Sequence, residues 1–373
     1  MIKIKKIILH LITQTLKTPF ITSIGQVTDR ESILVEVIDV DGYTGWGEVV
    51  AFSTPWYTEE TISTSLHLLK DLLIPLTIKQ NINHPDELQD IFKKIKRNNM
   101  AKASLEAAIW DLYAKRENKS LSETLGGTRK EIDCGVVIGI SSTANMIEQI
   151  NHYIQDGYKR FKIKISPKQD IKILDEIKSH FPNLPLMADA NSSYTLKDSD
   201  RLKELDQFNL LMIEQPLGAD DIIDHAKLQE KIETPICLDE SIISHVDARQ
   251  AIELGSCRVI NIKPGRVGGL TESIKIHNLC QENKIPVWCG GMLETSISRA
   301  HNIALASLPN FTIPGDISSS SRYWDHDILY PEIKAEKGKM TVPTKEGIGF
   351  QINIKNIEKL RKAIMVFEAK DIM

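Results

Sequence analysis

Short apolar runs that each end in a charged residue recur along the middle of the chain. Five such runs end at intervals of 24 or 25 residues. One strand, one helix and their loops take about 25 residues, and a buried parallel strand reads as a short apolar run. The pattern therefore predicts successive βα units with a charge at the C-terminal end of five strands. These charged residues are Lys164, Asp189, Glu214, Asp239 and Lys263.

The same period continues in both directions and gives eight strand ends. One step before Lys164 lies Gly139. One step beyond Lys263 lies Cys289, and a second step reaches Pro314. Eight parallel strands close a (β/α)₈ barrel, in which chemistry is done at the C-terminal ends of the strands. Lys164 is then on strand 2 and Lys263 on strand 6, half a turn away. We expect the three acids, on strands 3 to 5, to line the arc between two opposed lysines.

The first 128 residues have a different pattern. Residues 32–40 alternate between apolar and polar, and Asp41-Gly42 predicts a hairpin turn. Three helical stretches follow, at about 58–76, 86–97 and 100–117. We predict an α+β capping domain over residues 1–128 and the barrel over 129–330. The tail, about 331–373, alternates again, which predicts that it returns to complete the capping domain.

Composition and charge narrow the function classes. The 373 residues suit two domains, and a net charge of −4 without a basic block argues against nucleic-acid and membrane-surface partners. No run approaches the roughly 18 apolar residues of a membrane span. The five scattered cysteines contain no Cys-x-x-Cys pair, so we expect reduced core residues in a cytoplasmic protein. A homo-oligomer is compatible with the sequence, which gives no oligomeric state.

Three carboxylates on neighbouring strands predict a hard, oxygen-rich metal site. Mg²⁺ takes such ligands and keeps positions open for water or substrate, and Mn²⁺ is a substitute. No His or Cys lies at the other strand ends of this arc, which disfavours zinc. We therefore expect Asp189, Glu214 and Asp239 to hold one Mg²⁺.

A metal between two opposed lysines suits proton abstraction next to a carboxylate. The substrate carboxylate would bind the metal, one lysine would remove the α-proton, and the metal would stabilise the charge on the enediolate oxygen. The lysine that acts as base must be neutral, and a neighbouring cation lowers its pKa. Lys162, two residues before Lys164 on the same face of the strand, is predicted to be such a neighbour.

These residues also have ordinary alternatives. A single acidic residue at a strand end is usually a helix cap. Helix capping does not explain five charged residues that recur with the length of one βα unit. Asn191 and Glu240, next to the predicted ligands, are either active-site wall or loop support. Phe20, in the segment 18–21, together with Trp46 to Phe52, either closes as a lid over the barrel mouth or packs at the domain interface.

These motifs together resemble the enolase superfamily, in its muconate-lactonizing subgroup, along the whole chain. That superfamily is a known case of a lysine or histidine base working with Mg²⁺. The resemblance implies an α/β fold, a modified TIM barrel of the (β/α)₈ type with an α+β N-terminal capping domain. It also implies catalytic roles for Lys164, in Lys162-Ile163-Lys164, and for Lys263, in the segment 263–269. The implied metal ligands lie in Asp189-Ala190-Asn191, Glu214-Gln215-Pro216 and Asp239-Glu240-Ser241.

Within the subgroup, the chain resembles the o-succinylbenzoate synthase/N-acylamino acid racemase branch. Residues 290–295, 313–316 and 321–324 carry this likeness, and Gly291 and Met292 are the implied substrate contacts. The implied reaction is the dehydration of a small carboxylate, a succinyl-hydroxycyclohexadiene carboxylate, to 2-succinylbenzoate in menaquinone biosynthesis.

Other functions stay open beside this one. Racemisation of N-succinyl amino acids would use the same five charged residues, alone or together with the dehydration. Related dipeptide epimerases carry Asp-x-Asp after the last strand, where this chain has Asp316-Ile317-Ser318, so that reading weakens. A non-catalytic metal-binding protein would need neither lysine, which disfavours it.

Overall fold

An antiparallel sheet forms the N-terminal part of the molecule. The computed structural model describes residues 1–22, 25–139 and 141–371, without the side chains of residues 20–25. Gly42 turns the predicted hairpin with a φ of 92°, which glycine adopts without strain, so this prediction is confirmed. The strands are β1 (Ile2–Thr22), β2 (Gly25–Asp39), β3 (Thr44–Val49) and the two-residue β4 (Asn81–Ile82), which pairs with β1.

Helices cover one face of this sheet, and all three predicted helical stretches are present. A π-helical turn (Leu69–Leu73) joins the first two helices, and a 3₁₀ turn (Pro85–Glu87) precedes the third. The helices are α1 (Ile62–Leu68), α2 (Ile74–Thr77), α3 (Leu88–Phe92), α4 (Asn99–Arg116) and α5 (Leu121–Thr124). The second stretch ends before residue 97, because Arg97 and Asn98 have left-handed φ values of 50° and 54°.

Glycines in β3 allow α4 to lie directly on the sheet. A Cβ atom at Gly47 would meet the Ser104 carbonyl oxygen at 2.0 Å, and one at Gly45 would meet the Ala108 carbonyl oxygen at 1.9 Å. The alanine-rich face of α4 supplies the other side of this close contact. The two elements therefore form one rigid layer, which places the loop after β3 against the barrel.

Glu60 fastens the loop before α1 to the start of α4. Its carboxylate accepts hydrogen bonds from the backbone N–H of Met100, at 2.9 and 3.0 Å, and of Ala101, at 3.2 Å. Burial raises the pKa of Glu60 from 4.5 to about 7, although these N–H groups act in the opposite direction. This carboxyl group therefore changes its charge near neutral pH inside the folded protein.

Glu60→Gln is expected to flatten the pH dependence of stability between pH 4.5 and about 7. A carboxyl with a higher pKa in the folded chain binds its proton more tightly there, so the free energy of unfolding falls as pH rises through this window. The shift corresponds to about 3 kcal/mol between the two ends of the window. Urea unfolding of both proteins at several pH values measures the difference. The exposed Glu358→Gln is the control, and equal pH slopes for wild type and Glu60→Gln would contradict the prediction.

Seven parallel strands form the barrel sheet and neighbour one another in chain order. A short strand, β5 (Glu131–Asp133), precedes them. The seven strands are β6 (Gly135–Ile138), β7 (Arg160–Lys164), β8 (Leu186–Asp189), β9 (Ile213–Glu214), β10 (Ile236–Leu238), β11 (Val259–Ile262) and β12 (Val287–Cys289).

Helices follow the strands and pack outside them. They are α6 (Thr143–Gln155), α7 (Asp170–His180), α8 (Ser199–Glu204), α9 (Ile222–Gln229), α10 (His245–Leu254), α11 (Pro264–Val267), α12 (Leu270–Glu282) and α13 (Ser296–Ala306). Two 3₁₀ turns, Leu196–Asp198 and Leu205–Phe208, flank α8. No helix in the described part of the chain is both long and apolar enough to cross a membrane.

Side chains alternate between the two sides of the barrel wall. Along β7, Phe161 and Ile163 pack in the core between strands and helices. Lys162 points inward, where its Nζ lies 5.1 Å from the ring centroid of Trp288. A smaller apolar cluster inside the barrel contains Met187, Met212, Cys237, Val259 and Trp288. The inward-facing positions above this cluster carry the charged residues.

The predicted eighth strand is not formed as a strand, although its segment lies between β12 and β6. Pro309 and Pro314 lack the backbone N–H that a ladder requires, and they bound the predicted run. The strand prediction there is therefore wrong, while the barrel class is confirmed. Three backbone hydrogen bonds hold the segment: Val287 N to Asn310 O (3.3 Å), Asp316 N to Cys289 O (2.9 Å) and Gly135 N to Gly315 O (2.7 Å).

The tail contacts both parts of the molecule. Its strand β16 (Arg361–Glu368) pairs antiparallel with β1 and adds an edge strand to the N-terminal sheet. Its strand β14 (Lys339–Thr341) pairs with β5, next to the barrel, so only part of the tail extends the N-terminal sheet. The domain limits at residues 128 and 330 stay a prediction. The elements from Leu329 onward are β13 (Leu329–Tyr330), at the end of the predicted barrel range, and in the tail β14 (Lys339–Thr341), β15 (Gln351–Ile352), α14 (Ile354–Leu360) and β16 (Arg361–Glu368).

Candidate active site

The structure brings the five charged residues together at one end of the barrel. The strand register pairs Lys164 with Asp189, and Asp189 with Glu214. Asp239 and Lys263 directly follow β10 and β11. All three carboxylates are at most 2% exposed, so they are removed from solvent. The side chain of Lys164 is 21% exposed, against 8% for Lys263.

Each buried carboxylate is paired with a cation. Lys164 Nζ lies 2.6 Å from Asp189 Oδ2, and Lys263 Nζ lies 2.8 Å from Asp239 Oδ2. Lys162 Nζ lies 3.0 Å from Glu214 Oε2 and 3.3 Å from Asp189 Oδ2. Lys162 and Lys164 thus share one carboxylate oxygen, which is the close neighbourhood expected for a Lys-x-Lys pair on one strand face.

Burial and the neighbouring charges shift the pKa values of these groups in opposite directions. Burial alone would lower the pKa of Lys162, but the charges of Asp316, Glu214 and Asp189 outweigh it and raise the pKa. Burial would raise the pKa of Asp189, and the two lysines outweigh it and lower the pKa. The pKa of Glu214 is raised, first by burial and then by the charge of Asp189.

The donor set fits a hard divalent cation. Within the described residues, no group of three or more His, Cys, Asp or Glu side chains converges as a ready-made metal site, because each acid is turned toward a lysine or arginine. The three acids are nevertheless neighbours at strand ends, fully buried and oxygen-only. The repulsion between Asp189 and Glu214 is the kind of electrostatic cost that a bound cation removes.

Tyr57 and Arg266 complete the surroundings of Lys263, and neither was predicted from the sequence. Lys263 Nζ donates to the Tyr57 hydroxyl oxygen at 2.9 Å, and that hydroxyl donates to Asp239 Oδ1 at 3.1 Å. Lys263 Nζ also lies 4.5 Å from the centroid of the Tyr57 ring, and Arg266 pairs with Asp239. Burial would lower the pKa of Lys263, but Tyr57, Glu214 and Glu240 outweigh it and raise the pKa.

Asn191 and Glu240 form a polar wall beside Lys164. Asn191 Oδ1 accepts a hydrogen bond from Lys164, and Asn191 Nδ2 donates to Glu240 Oε1 at 3.0 Å. Asn191 adopts a left-handed φ of 40°, a conformation that asparagine adopts more readily than most residues. The second carboxylate oxygen of Glu240 is buried without a protein partner, and burial raises the pKa of this group.

The loop after β12 approaches Lys263 at Gly290 and the Asp316 backbone at Gly291. A Cβ at Gly290 would lie 2.5 Å from Lys263 Cε, and one at Gly291 would lie 2.9 Å from the Asp316 carbonyl oxygen. Met292 instead packs among apolar side chains of the N-terminal domain and is 6% exposed. The predicted role of Met292 as a substrate contact stays a prediction, and in this structure its side chain makes an interdomain packing contact.

The structure describes only some of the side chains that were predicted either to form a lid or to pack at the domain interface. Phe20 lies in β1, where its backbone pairs with Val27, but its side chain lies outside the described residues. Trp46 is buried in the fold and stacks on His10 with centroids 5.5 Å apart, so it does not serve as a lid residue. Farther along the chain, Tyr57 reaches the barrel mouth, where its hydroxyl contacts Lys263.

Asp316 is held by buried cations from the barrel interior. Its Oδ1 lies 2.6 Å from Arg160 Nη2, and its Oδ2 lies 2.6 Å from Lys162 Nζ. These two partners lower the pKa of Asp316 against the effect of burial. Both oxygens of Asp316 are thus engaged by cations in this structure.

The cysteines are packing residues. All five are buried and free, as expected for reduced core cysteines. Burial raises the pKa of Cys134 and of Cys280 to about 12 each, which keeps these thiols protonated. Cys289, near the barrel mouth, is likewise buried, and burial raises its pKa as well.

Comparison with known proteins gives matches along most of the chain. Residues 4–126 match the mandelate racemase/muconate lactonizing enzyme N-terminal domain, and residues 145–356 match the enolase C-terminal domain-like family. The o-succinylbenzoate synthase of Bacillus subtilis (strain 168) is 58% identical over 353 residues, 95% of each chain. An N-succinylamino acid racemase of Thermus thermophilus is 42% identical over 353 residues, 94% of this chain and 95% of that protein.

A solved structure has the same fold throughout. It is an enolase superfamily member from Listeria innocua, with a TM-score of 0.96 and 44% sequence identity. The superposition covers 99% of this chain and 100% of that one. The similarity therefore includes the N-terminal domain, the barrel and the tail.

Proposed function

This chain belongs to the mandelate racemase/muconate lactonizing enzyme family of the enolase superfamily, and we propose that its site works as an o-succinylbenzoate synthase. The reaction is a carbon–oxygen lyase step, which removes water from a succinyl-hydroxycyclohexadiene carboxylate. The observation that carries the proposal is the placement of Lys164 and Lys263 at strand ends on either side of three buried carboxylates. The similarity to proteins named o-succinylbenzoate synthase supports the choice of substrate.

A divalent cation belongs to this chemistry, because enolase superfamily members generally depend on one, typically Mg²⁺. Asp189, Glu214 and Asp239 would hold Mg²⁺, with Mn²⁺ as a substitute. When bound, the cation supplies Lewis-acid stabilisation of the negative charge that develops at the substrate carboxylate. With a cation held by these acids, Lys164 and Lys263 would no longer be needed to neutralise them and could face the substrate.

Lys164 moves the protons in the proposed dehydration. In its neutral form it takes the α-proton from carbon, which breaks the C–H bond. As an ammonium group it then returns a proton to the departing hydroxide on the same face, so that water leaves and the neutral amine is restored. Its greater exposure than Lys263 and its contact with Asn191 place it on the open side of the site.

Lys263 has a different task in the dehydration. It lies on the opposite strand, held by Asp239 and Tyr57, and it supplies a positive charge to the other face of the substrate. A fixed charge aimed at the position where negative charge develops lowers the barrier without moving a proton. The dehydration therefore needs proton transfer at only one of the two lysines.

Racemisation of N-succinyl amino acids is the second function that fits this site. Two opposed lysines can exchange a proton on each face of a planar intermediate, which is the minimum that racemisation requires. The similarity to relatives named N-succinylamino acid racemase, at 42% and 41% identity, favours this reaction as a second activity.

One assay distinguishes the two functions. The purified chain with Mg²⁺ is supplied with the synthase substrate, and aromatisation is followed by ultraviolet absorbance. In parallel, each enantiomer of an N-succinyl amino acid is incubated in D₂O, and deuterium at the α-carbon is followed by NMR. We expect dehydration, with or without exchange, and failure of the chain to dehydrate the substrate would overturn the proposed function.

Asp239→Asn is expected to weaken Mg²⁺ binding and lower activity together. The substitution removes one of the three proposed charged ligands, and loss of outer-shell partners alone usually costs 10–100-fold in metal affinity, so we expect a loss of more than about 100-fold. Calorimetric titration with Mg²⁺ measures the affinity directly. Asp316→Asn is the matched control, because Asp316 is also a buried carboxylate at this end of the barrel but is held by Arg160 and Lys162. Equal losses of affinity in both variants would contradict the ligand assignment.

A further inference from the structure

Arg30 is a buried cation whose hydrogen bonds all go to backbone carbonyl groups. It lies in β2 and is 2% exposed. Its guanidinium donates to the carbonyl oxygens of Val50 and Ala51, at 2.6 Å each, and of Leu293, at 3.3 Å, as well as to its own neighbour Glu31, at 2.8 Å. It also lies over the Phe52 ring, 4.5 Å from the centroid. A buried charge with this many partners costs much to form and fixes the groups it bonds.

Three of the four carbonyl groups held by Arg30 belong to the two segments that surround Lys263. The first, residues 50–57, follows β3 and carries Tyr57, which contacts Lys263 and Asp239. The second, residues 290–294, follows β12 and carries Gly290, beside Lys263 Cε. Arg30 therefore bridges the N-terminal domain and the barrel loop at the point where both contact this lysine.

The backbone at Leu293 needs such a restraint. Its φ of 53° lies in the left-handed region, which a leucine adopts only when its surroundings impose it. The Arg30 guanidinium bonds the Leu293 carbonyl on one side. Just beyond, Glu48 of β3 accepts from Thr295 N at 2.9 Å and from Thr295 Oγ1 at 2.7 Å. Both anchors come from the N-terminal domain, and together they fix the start of α13 and the loop before it.

Among the residues that the structure describes, no comparable contacts connect Lys164 to Arg30. Its partners Asp189 and Asn191 belong to β8 and the residues directly after it. A change at Arg30 would reach Lys263 through segments 50–57 and 290–294, and it would leave the surroundings of Lys164 in place. The two faces of the active site therefore differ in what positions them.

We propose that Arg30 is a positioning residue for Lys263, which sets the geometry of that face of the site by clamping segment 50–57 to loop 290–294. This inference rests on the proposed function, because it assigns the clamp to one of its two lysines. The planar guanidinium of arginine has five N–H donors and can therefore bond three segments at once. A lysine at this position would keep the positive charge but lack that donor arrangement. Steps in which Lys263 moves a proton are therefore more sensitive to the clamp than steps at Lys164.

The test compares Arg30→Lys with wild type in D₂O, using both enantiomers of an N-succinyl amino acid. The enantiomer that depends on Lys263 is identified as the one that Lys263→Ala no longer exchanges. We expect Arg30→Lys to slow its exchange by at least about tenfold, since a misplacement of about 1 Å can cost about 100-fold. Exchange of the other enantiomer should change by less than about twofold. Arg249→Lys, an exposed arginine paired with Glu253, is the matched control.

Amide hydrogen exchange followed by mass spectrometry gives a second readout without substrate. Peptides that cover residues 50–57 and 290–295 should exchange faster in Arg30→Lys, while those that cover β7 and β8 should not. If Arg30→Lys does not fold, Glu48→Gln is used instead, because it weakens the hydrogen bonds that hold the same loop through Thr295. It should likewise slow exchange of the Lys263-dependent enantiomer only. An equal loss for both enantiomers, or no loss for either, overturns the proposal. If the wild type exchanges neither enantiomer, the racemisation part of the proposed function fails, and unchanged amide exchange in the two segments then overturns the clamp.

Discussion

Lys164→Ala is expected to lower kcat for the dehydration by about 100- to 10,000-fold, the usual range for loss of a general acid–base group. The proposed reaction uses this lysine twice, as the base toward carbon and as the acid toward hydroxide. The loss should therefore appear in kcat and not in the affinity for Mg²⁺, because the three carboxylates remain. Steady-state kinetics with the synthase substrate, together with calorimetric Mg²⁺ titration, separate these quantities.

An exposed lysine provides the control for this variant. Lys172→Ala removes a lysine from α7 whose side chain is 81% exposed, and it should leave both kcat and Mg²⁺ affinity unchanged. A Lys164→Ala enzyme within about tenfold of wild type would show that another group moves the proton. Lys162 would then be the next candidate, since it shares Asp189 Oδ2 with Lys164.

The strand period and the charges at the strand ends could be predicted because both are local properties of the sequence. A buried parallel strand requires a short apolar run, and the length of one βα unit is nearly constant. Lys164, Asp189 and Glu214 therefore fall at the strand ends β7, β8 and β9, where the register places them side by side. The same reasoning wrongly predicted an eighth strand ending at Pro314, although Pro309 and Pro314 in the sequence argue against a ladder of hydrogen bonds there.

The groups that surround Lys263 could not be predicted in that way. Tyr57 is 206 positions away from Lys263 in the sequence, and Arg30 is 263 positions away from Leu293. Such contacts depend on how two domains pack and on irregular loops, which have no hydrophobic period. The only sequence signal for Tyr57 was a loop that carries several aromatic residues, and that pattern is equally typical of interface packing.

Met292 shows that motif similarity locates a segment without giving the orientation of each of its side chains. The resemblance of residues 290–295 to a family motif predicted that they lie at the active site, and the structure does bring Gly290 against Lys263. The side chain two positions later turns into the apolar core of the N-terminal domain. Leu293, the next residue, has a left-handed φ, and nothing in the residue type of a leucine indicates that conformation.

Lys263→Ala is expected to separate the two activities that the site can support. In dehydration this lysine supplies only a positive charge, so we expect kcat to fall by about 100- to 1,000-fold, as for loss of one group that stabilises developing charge. In racemisation it must donate or accept a proton on its own face, so inversion of configuration should stop. The two faces can be followed independently, because each enantiomer presents its α-proton to one lysine.

Exchange of the α-proton in D₂O gives the measurement. The Lys263→Ala enzyme should still replace the α-proton of one N-succinyl enantiomer by deuterium, through Lys164, with retention of configuration. The other enantiomer should not exchange, whereas the wild type should exchange both if it racemises. This difference follows from the strand order alone, since β7 and β11 lie four strands apart in a barrel and their lysines approach a bound substrate from opposite sides. Equal exchange of both enantiomers by Lys263→Ala would mean that the lysines do not straddle the substrate, and the assignment of one face to each lysine would have to be abandoned.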